Sequence, residues 1–416
     1  MTSTIAVVAS TDTKDAEVNY VVEQLAARGA RAVIIDVSTS KQFTSPHETS
    51  PEHIRREDVA TAAGHVWADI VGSPRAFLLD VMARGATRTL RDLHDIGRIH
   101  GVLGLGGLQN TTMAAQAMQA LPVGFPKVIV STVACGTRKF DMVAGTKDIT
   151  VMPAVTDLAG LNFISRRILA NAAGAVVGMV AAGGRDIGRP AEDTIGTTLM
   201  GATNDGVVQA VAELEAAGRP VCCFHSTGVG GQVLEELVAD GALAATMDLT
   251  LHEIVYEYFG GGFGAGTTDR LTAGARAGIP MVVAPGGIDF ICQWKGELFA
   301  DVDDRKMIWH NAELAHVKLR ENEARDVARL VVERLNAATG PVTVLLPTGG
   351  LRTMTRPGEP LHEPTVDAAI LDELERGLRA DIVTKRVDAN LCDPAFSHAA
   401  AEEMLMLMSS RTGARG

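Results

Sequence analysis

Residues 101–112 read GVLGLGGLQNTT, a short apolar run that opens into glycines and then into amide and hydroxyl side chains. An apolar run of this length bounded by glycine has the pattern of a strand buried on both faces. The residues after it, TTMAAQAMQAL, follow a helical spacing. Strand, glycine turn and helix in succession make one unit of a parallel sheet covered by helices, because parallel strands need a long crossover between them. Outward from this point the same unit recurs in both directions.

Towards the N-terminus, TIAVVAS leads into the amphipathic AEVNYVVEQLAARG, which stops at a glycine and is followed by RAVIIDV. A polar insert covers 38–52, and helical stretches run to about residue 98. KVIVST adds a further strand, LAGLNFISRRILANAAGAVVGMVAA reads as a helix, and GGRDIGRPAEDT has the glycine, proline and charge of a linker. A second series then begins with IGTTLMGAT and continues through RPVCCFHSTG, ATMDLT, PMVVAPGG, PVTVLLPTGG and DIVTKRV. A long helix is expected over roughly 312–336 and a final one to about Met408. At 416 residues the chain exceeds what one core usually supports. The fold class is α/β, with two Rossmann-like open, mostly parallel sheets flanked by helices, in domains 1–190 and 191–416.

Composition narrows the function. A net charge of −12 argues against nucleic acid or an anionic membrane as the main partner, while leaving room for a locally positive pocket. The opening MTSTIAVVAS turns polar again at Ser10, unlike a signal peptide, and no apolar stretch is expected to reach the length of a membrane span, so a cytoplasmic location follows. Five cysteines, Cys135, Cys222, Cys223, Cys292 and Cys392, show no C-x-x-C spacing. That speaks against a disulfide framework and a structural zinc site, and for mostly buried, reduced thiols.

Ligands of open α/β sheets sit beyond the carboxyl ends of the strands. In the first domain the loops there are STDTK (10–14), GLGGLQNTT (104–112), STVACGT (131–137) and MPAVTDLAG (152–160). Glycines let backbone approach an anion, and a following helix offers unpaired N–H groups and the positive end of its dipole, so a phosphate is the natural guest. Neither the P-loop nor the dinucleotide fingerprint is present. Asp12 and Lys14 are candidates for a Mg2+ and a phosphate, with Asp12 equally readable as a helix cap. In the second domain HSTGVGG offers another anion-accepting turn. His225, Glu253 and Asp289 are its candidate acid, base or metal-positioning groups, with His252, Glu257 and His310 nearby in the pattern. H-E-x-x-H and the G-x-S-x-G elbow are absent.

The segments STDTKDAEVNYV, GLGGLQNTTMAAQAM, VMPAVTDLAGLNFISRRILANAAGAVVGM, FHSTGVGGQVLEELV, DLTLHEIVYEYFGGGFGAG, PGGIDF and DPAFSHAAAEEM together resemble the UPF0261 family, bacterial relatives of the N-terminal domain of the tomato Tm-1 resistance protein. The resemblance implies two Rossmann-like subdomains, ATP bound in the first, and association as a homodimer or larger homo-oligomer. On these loops it implies a nucleotide pocket from Thr11, Asp12, Thr13, Lys14, Gly106, Gly107 and Thr111, then Ser131, Thr132 and Gly136, with Mg2+ as an optional companion of ATP. Three functions stay open at this point: a nucleotide-binding protein, a metabolic enzyme acting on a small carboxylate or phosphorylated metabolite between the domains, and a non-catalytic interaction protein stabilised by nucleotide.

Overall fold

The computed structural model describes residues 2–41, 52–134, 141–183, 192–266 and 269–413. The chain divides into two compact units, Met1–Gly188 and Arg189–Gly416.

Unit 1 contains a parallel sheet of β1 (Thr4–Ala9), β2 (Arg31–Asp36), β3 (His53–Ile54), β4 (Gly101–Gly106), β5 (Lys127–Ser131) and β6 (Thr150–Pro153). Their order is β3-β2-β1-β4-β5-β6. The chain fills the sheet outwards from β1 to β3, then returns to β4 on the other side of β1. That reversal opens a crevice beyond the carboxyl ends of β1 and β4, the place where a doubly wound sheet receives a ligand. β1, β4 and β5 are buried at every residue, which explains their unbroken apolar reading. The helices Arg75–Asp95 and Leu108–Gln119 pack on one face and Thr11–Ala26 and Phe163–Gly183 on the other, each carrying an apolar stripe to the sheet.

Unit 2 contains β7 (Ile195–Leu199), β8 (Val221–His225), β9 (Ala245–Thr250), β10 (Met281–Gly286), β11 (Phe290–Trp294), β12 (Met307–Trp309), β13 (Leu314–Lys318), β14 (Val342–Pro347) and β15 (Val383–Val387). Six of them form a second parallel sheet in the order β15-β14-β10-β9-β7-β8, with its reversal between β7 and β9. The other three form an antiparallel sheet, β11-β13-β12, inserted between β10 and β14.

The structure corrects three sequence expectations. The helix expected over 312–336 starts only at Glu321, because LAHVK (314–318) is the central strand of the inserted sheet. Phe163–Gly183 is long and apolar enough to cross a membrane, although such a stretch was not expected. Leu169, Ala172, Ala173 and Val176 on that helix are buried in the core of unit 1. Cys222 and Cys223 are exposed on the edge strand β8, while Cys292 and Cys392 are buried.

Two adjacent glycines mark the crevice of unit 1. Gly106 has φ +145°, and a Cβ there would stand 2.6 Å from the Cβ of Asn110. Gly107 has an ordinary φ of −82°, and a Cβ there would meet only Thr132 Oγ1, at 3.7 Å. Gly106→Ala is therefore expected to destabilise unit 1 by about 2–3 kcal/mol and Gly107→Ala by less than about 0.5 kcal/mol. Urea denaturation of the two variants beside the parent checks this; equal effects would show that the two positions do not differ as their geometry requires.

Candidate functional site

At the crevice of unit 1, the residue ahead of the first helix, Ser10, gives its hydroxyl to Asn110 Oδ1 (2.6 Å) and makes no side-chain cap. That bond ties the turn after β1 to the helix after β4. Thr11 faces inward, its Oγ1 donating to Asp36 Oδ2 (2.7 Å) and its N–H to Asp36 Oδ1 (3.2 Å), and Ser38 also bonds Asp36 through both N–H and hydroxyl. Asp36 closes β2, where dinucleotide-binding sheets present an acid to a ribose. Here its oxygens are engaged by Thr11 and Ser38. Asp12 accepts from Ser40 N (3.1 Å), Thr13 is exposed, and Lys14 Nζ donates to the carbonyl of Leu158.

On the other side of the crevice Thr111 and Ser131 share a hydrogen bond of 2.8 Å, and Thr132 N donates to Gly106 O at 3.1 Å. These residues do converge with Gly106 and Gly107. The helix that starts at Leu108 has Gly107 as its N-cap residue, so no capping side chain satisfies its first N–H groups. Gly136 lies outside the described residues. Among the described residues no group of three or more His, Cys, Asp or Glu side chains is arranged to hold a metal.

In unit 2 the glycine turn of HSTGVGG is already filled from within. The N–H groups of Gly228 and Gly231 donate to Glu253 Oε1, at 2.8 and 2.9 Å. Glu253 Oε2 receives Arg270 Nε at 2.6 Å, and the same guanidinium reaches Glu235 (2.9 Å) and Asp248 (2.7 Å). Arg270 is 1% exposed. Burial works against its charge, and Asp248, Glu253 and Glu235 outweigh that and hold its pKa above the ordinary value. Burial raises Glu253 and Glu235 in turn, against the pull of Arg270. A Cβ on Gly231 would fall 2.0 Å from Glu253 Oε2, so only glycine fits there. The anion that the turn was expected to accept is therefore the protein's own.

His225 is exposed and bonds Thr227 Oγ1 at 3.0 Å. Asp289 is fully buried between Arg352 Nε (2.9 Å) and Lys318 Nζ (3.0 Å), and Lys318 also reaches Asp367 (2.7 Å). Burial would raise Asp289, but Arg352 and Lys318 hold it low instead. Among the described residues His225, Glu253 and Asp289 exchange no hydrogen bond; the last two stand in separate buried ion networks.

His252 is likewise satisfied. Its Nδ1 lies 2.7 Å from Gly287 O, which can only accept, so Nδ1 carries the proton and Nε2 accepts from Tyr256 Oη at 3.1 Å. Cys292 Sγ is 3.7 Å from that Nε2, but burial pushes the thiol up to about 11, which keeps it from acting as a thiolate. Arg270, Arg352, Lys318 and His316 in unit 2 and Asp36 in unit 1 are not among the residues expected from sequence, and Ser10 and Asn110 fall in the expected loops without an expected role. Of the first five, only Asp36 carries a local signal, an acid at the end of the second strand.

The Uncharacterised protein family (UPF0261) N-terminal domain matches residues 3–184 and its C-terminal domain residues 192–408. The chain belongs to the UPF0261 family. A UPF0261 protein of Clostridium tetani is 31% identical over 98% of this chain and 100% of its own length. The ToMV resistance protein Tm-1(GCR237) of Solanum lycopersicum is 29% identical over 89% of this chain, which spans half of that longer protein. Among solved structures, a putative UDP-N-acetylglucosamine 2-epimerase from Listeria monocytogenes aligns over 99% of this UPF0261 chain and 97% of its own at 11% identity and a TM-score of 0.25, too low to carry an argument.

The two buried imidazoles of unit 2 set a pH dependence. Burial lowers His252 to about 4 and His316 to about 3, with Arg352 adding to both shifts. The unfolded chain therefore binds protons that the folded chain refuses as pH falls below about 6.5. The contribution of these two histidines is full above that value and falls towards pH 4, by up to about 1.4 kcal/mol per pH unit for each, while Asp367, raised by burial to about 6, takes up a proton on folding in the same window and offsets part of the loss. Urea midpoints between pH 7.5 and 4.5 check this. His316→Gln is expected to remove its share of the slope, and an unchanged slope would show that His316 is not held neutral.

Proposed function

We propose that this chain is a cytoplasmic nucleotide-binding protein that holds the phosphates of ATP in unit 1, at the crevice between the loops after β1 and β4. The observation that carries this reading is the open floor at Gly107. Backbone there is free of side chains, uncapped N–H groups of a 12-residue helix start beside it, and the nearest atom to an added Cβ is a hydroxyl oxygen at 3.7 Å. Phosphate oxygens find donors and the positive end of a helix dipole at such a place. Asp36 is committed to Thr11 and Ser38, which favours a mononucleotide over a dinucleotide read through its ribose. Lys14 would add a charge to the phosphates on leaving Leu158, and Asp12 would supply one ligand to Mg2+. The glycine turn of unit 2 does not compete for the phosphates, because Glu253 fills it.

Calorimetric titration with ATP, ADP and GTP, with and without Mg2+, tests this. Gly107→Val keeps the backbone conformation but fills the space, and is expected to reduce ATP affinity at least about tenfold, or about 1.4 kcal/mol. His225→Ala is expected to leave it unchanged. Undiminished ATP binding by Gly107→Val would remove the phosphates from this loop.

A further inference from the structure

The strongest anomaly in the molecule lies in unit 2, outside the proposed nucleotide site. Arg352 has no solvent exposure, and its Nε bonds both oxygens of Asp289, at 3.1 and 2.9 Å. Its Nη1 and Nη2 have no hydrogen-bond partner. Four N–H donors of a charged group are thus withdrawn from water with nothing returned, and buried donors are rarely left in that state. The guanidinium carbon stands 3.7 Å above the centre of the Phe290 ring. His316 packs on the same ring, 4.9 Å between centroids, and its Nδ1 is also buried without a partner.

These groups occupy a functional position in the fold. Arg352 follows β14, Asp289 and Phe290 follow β10, and His252, stacked on Phe290 at 4.3 Å, follows β9. β9, β10 and β14 are neighbours, so the cluster sits beyond three adjacent carboxyl ends of a parallel sheet. The inserted sheet contributes His316 and Lys318. A cavity of about 310 Å3 opens beside the same loop, lined in part by Gly349, Gly350, Thr355 and His362 together with Asp367, which Lys318 links back to Asp289; Arg352 and His316 stand behind it and are not among its lining residues.

We propose that Arg352 anchors a second ligand site that binds the carboxylate of a small organic acid, with Nη1 and Nη2 as a two-pronged donor and His316 Nδ1 as a third group. A planar guanidinium matches the two oxygens of a carboxylate, which a lysine cannot do. Charge selects the same class. Arg352 and Lys318 are balanced by Asp289 and Asp367, and a single negative charge is tolerated there more readily than the double charge of phosphate.

The test uses the 416-residue chain without ATP, titrated with the monocarboxylates acetate, pyruvate, lactate and benzoate and, separately, inorganic phosphate, read by calorimetry and by the shift in Tm. Saturable binding of at least one acid, with Kd below ~1 mM and phosphate at least about tenfold weaker, is expected. Arg352→Lys, which keeps the charge but loses the fork, should weaken that acid at least about tenfold, while Gly107→Val leaves it unchanged. Three results would overturn the site: no saturable binding of any acid to the parent protein up to ~10 mM, phosphate binding as tightly as the acids, or unaltered affinity in a folded Arg352→Lys variant.

Discussion

A single guanidinium, that of Arg270, determines how unit 2 can be built. It is buried against Asp248 on β9, Glu235 on the helix Val229–Ala239 and Glu253 on the helix His252–Tyr258. Desolvating one cation and three carboxylates is expensive, and the cost is offset only because each carboxylate has further donors. Glu253 takes the N–H groups of Gly228 and Gly231, Glu235 those of Leu271 and Ala273, and Asp248 the hydroxyl of Thr198. One network thus fixes the starts of three helices, Val229–Ala239, His252–Tyr258 and Thr272–Ala277, and the carboxyl ends of β7 and β9.

That network also separates the chemistry of the two units. Both sheets reverse their strand order, and both place a glycine turn at or beside the reversal. In unit 2 the turn is filled by an internal carboxylate, and its glycine at 231 is dictated by the contact with Glu253. In unit 1 hydroxyls and an amide tie the loops together through Ser10 with Asn110 and Thr111 with Ser131, and the backbone at Gly107 stays uncovered. Similar glycine turns therefore lead to opposite functional readings.

Local pattern made much of this legible. Strands buried on both faces must be apolar throughout, and strand-to-helix turns need small residues, so TIAVVA, GVLGLG and VTVLLP identified themselves together with the glycine loops behind them. The loops of the unit 1 crevice could be listed because each follows its own strand directly. The ion networks were hidden because their members are far apart in sequence. Arg270 joins residues 17 to 35 positions away, and Arg352 meets Asp289 63 positions away. Nothing about an arginine in a loop announces burial. Within LAHVK only the four residues AHVK alternate apolar and polar, a two-residue period too short to stand out beside the stronger helical pattern beginning at Glu321, which hides the inserted sheet.

The most direct measurement of where nucleotide sits is photo-crosslinking with 8-azido-ATP, with excess ATP as competitor and peptide mapping of the attached label. ATP-protectable label on peptides of residues 1–188 is the result expected of nucleotide binding in unit 1. Protectable label confined to peptides of unit 2, or none at all, would contradict it.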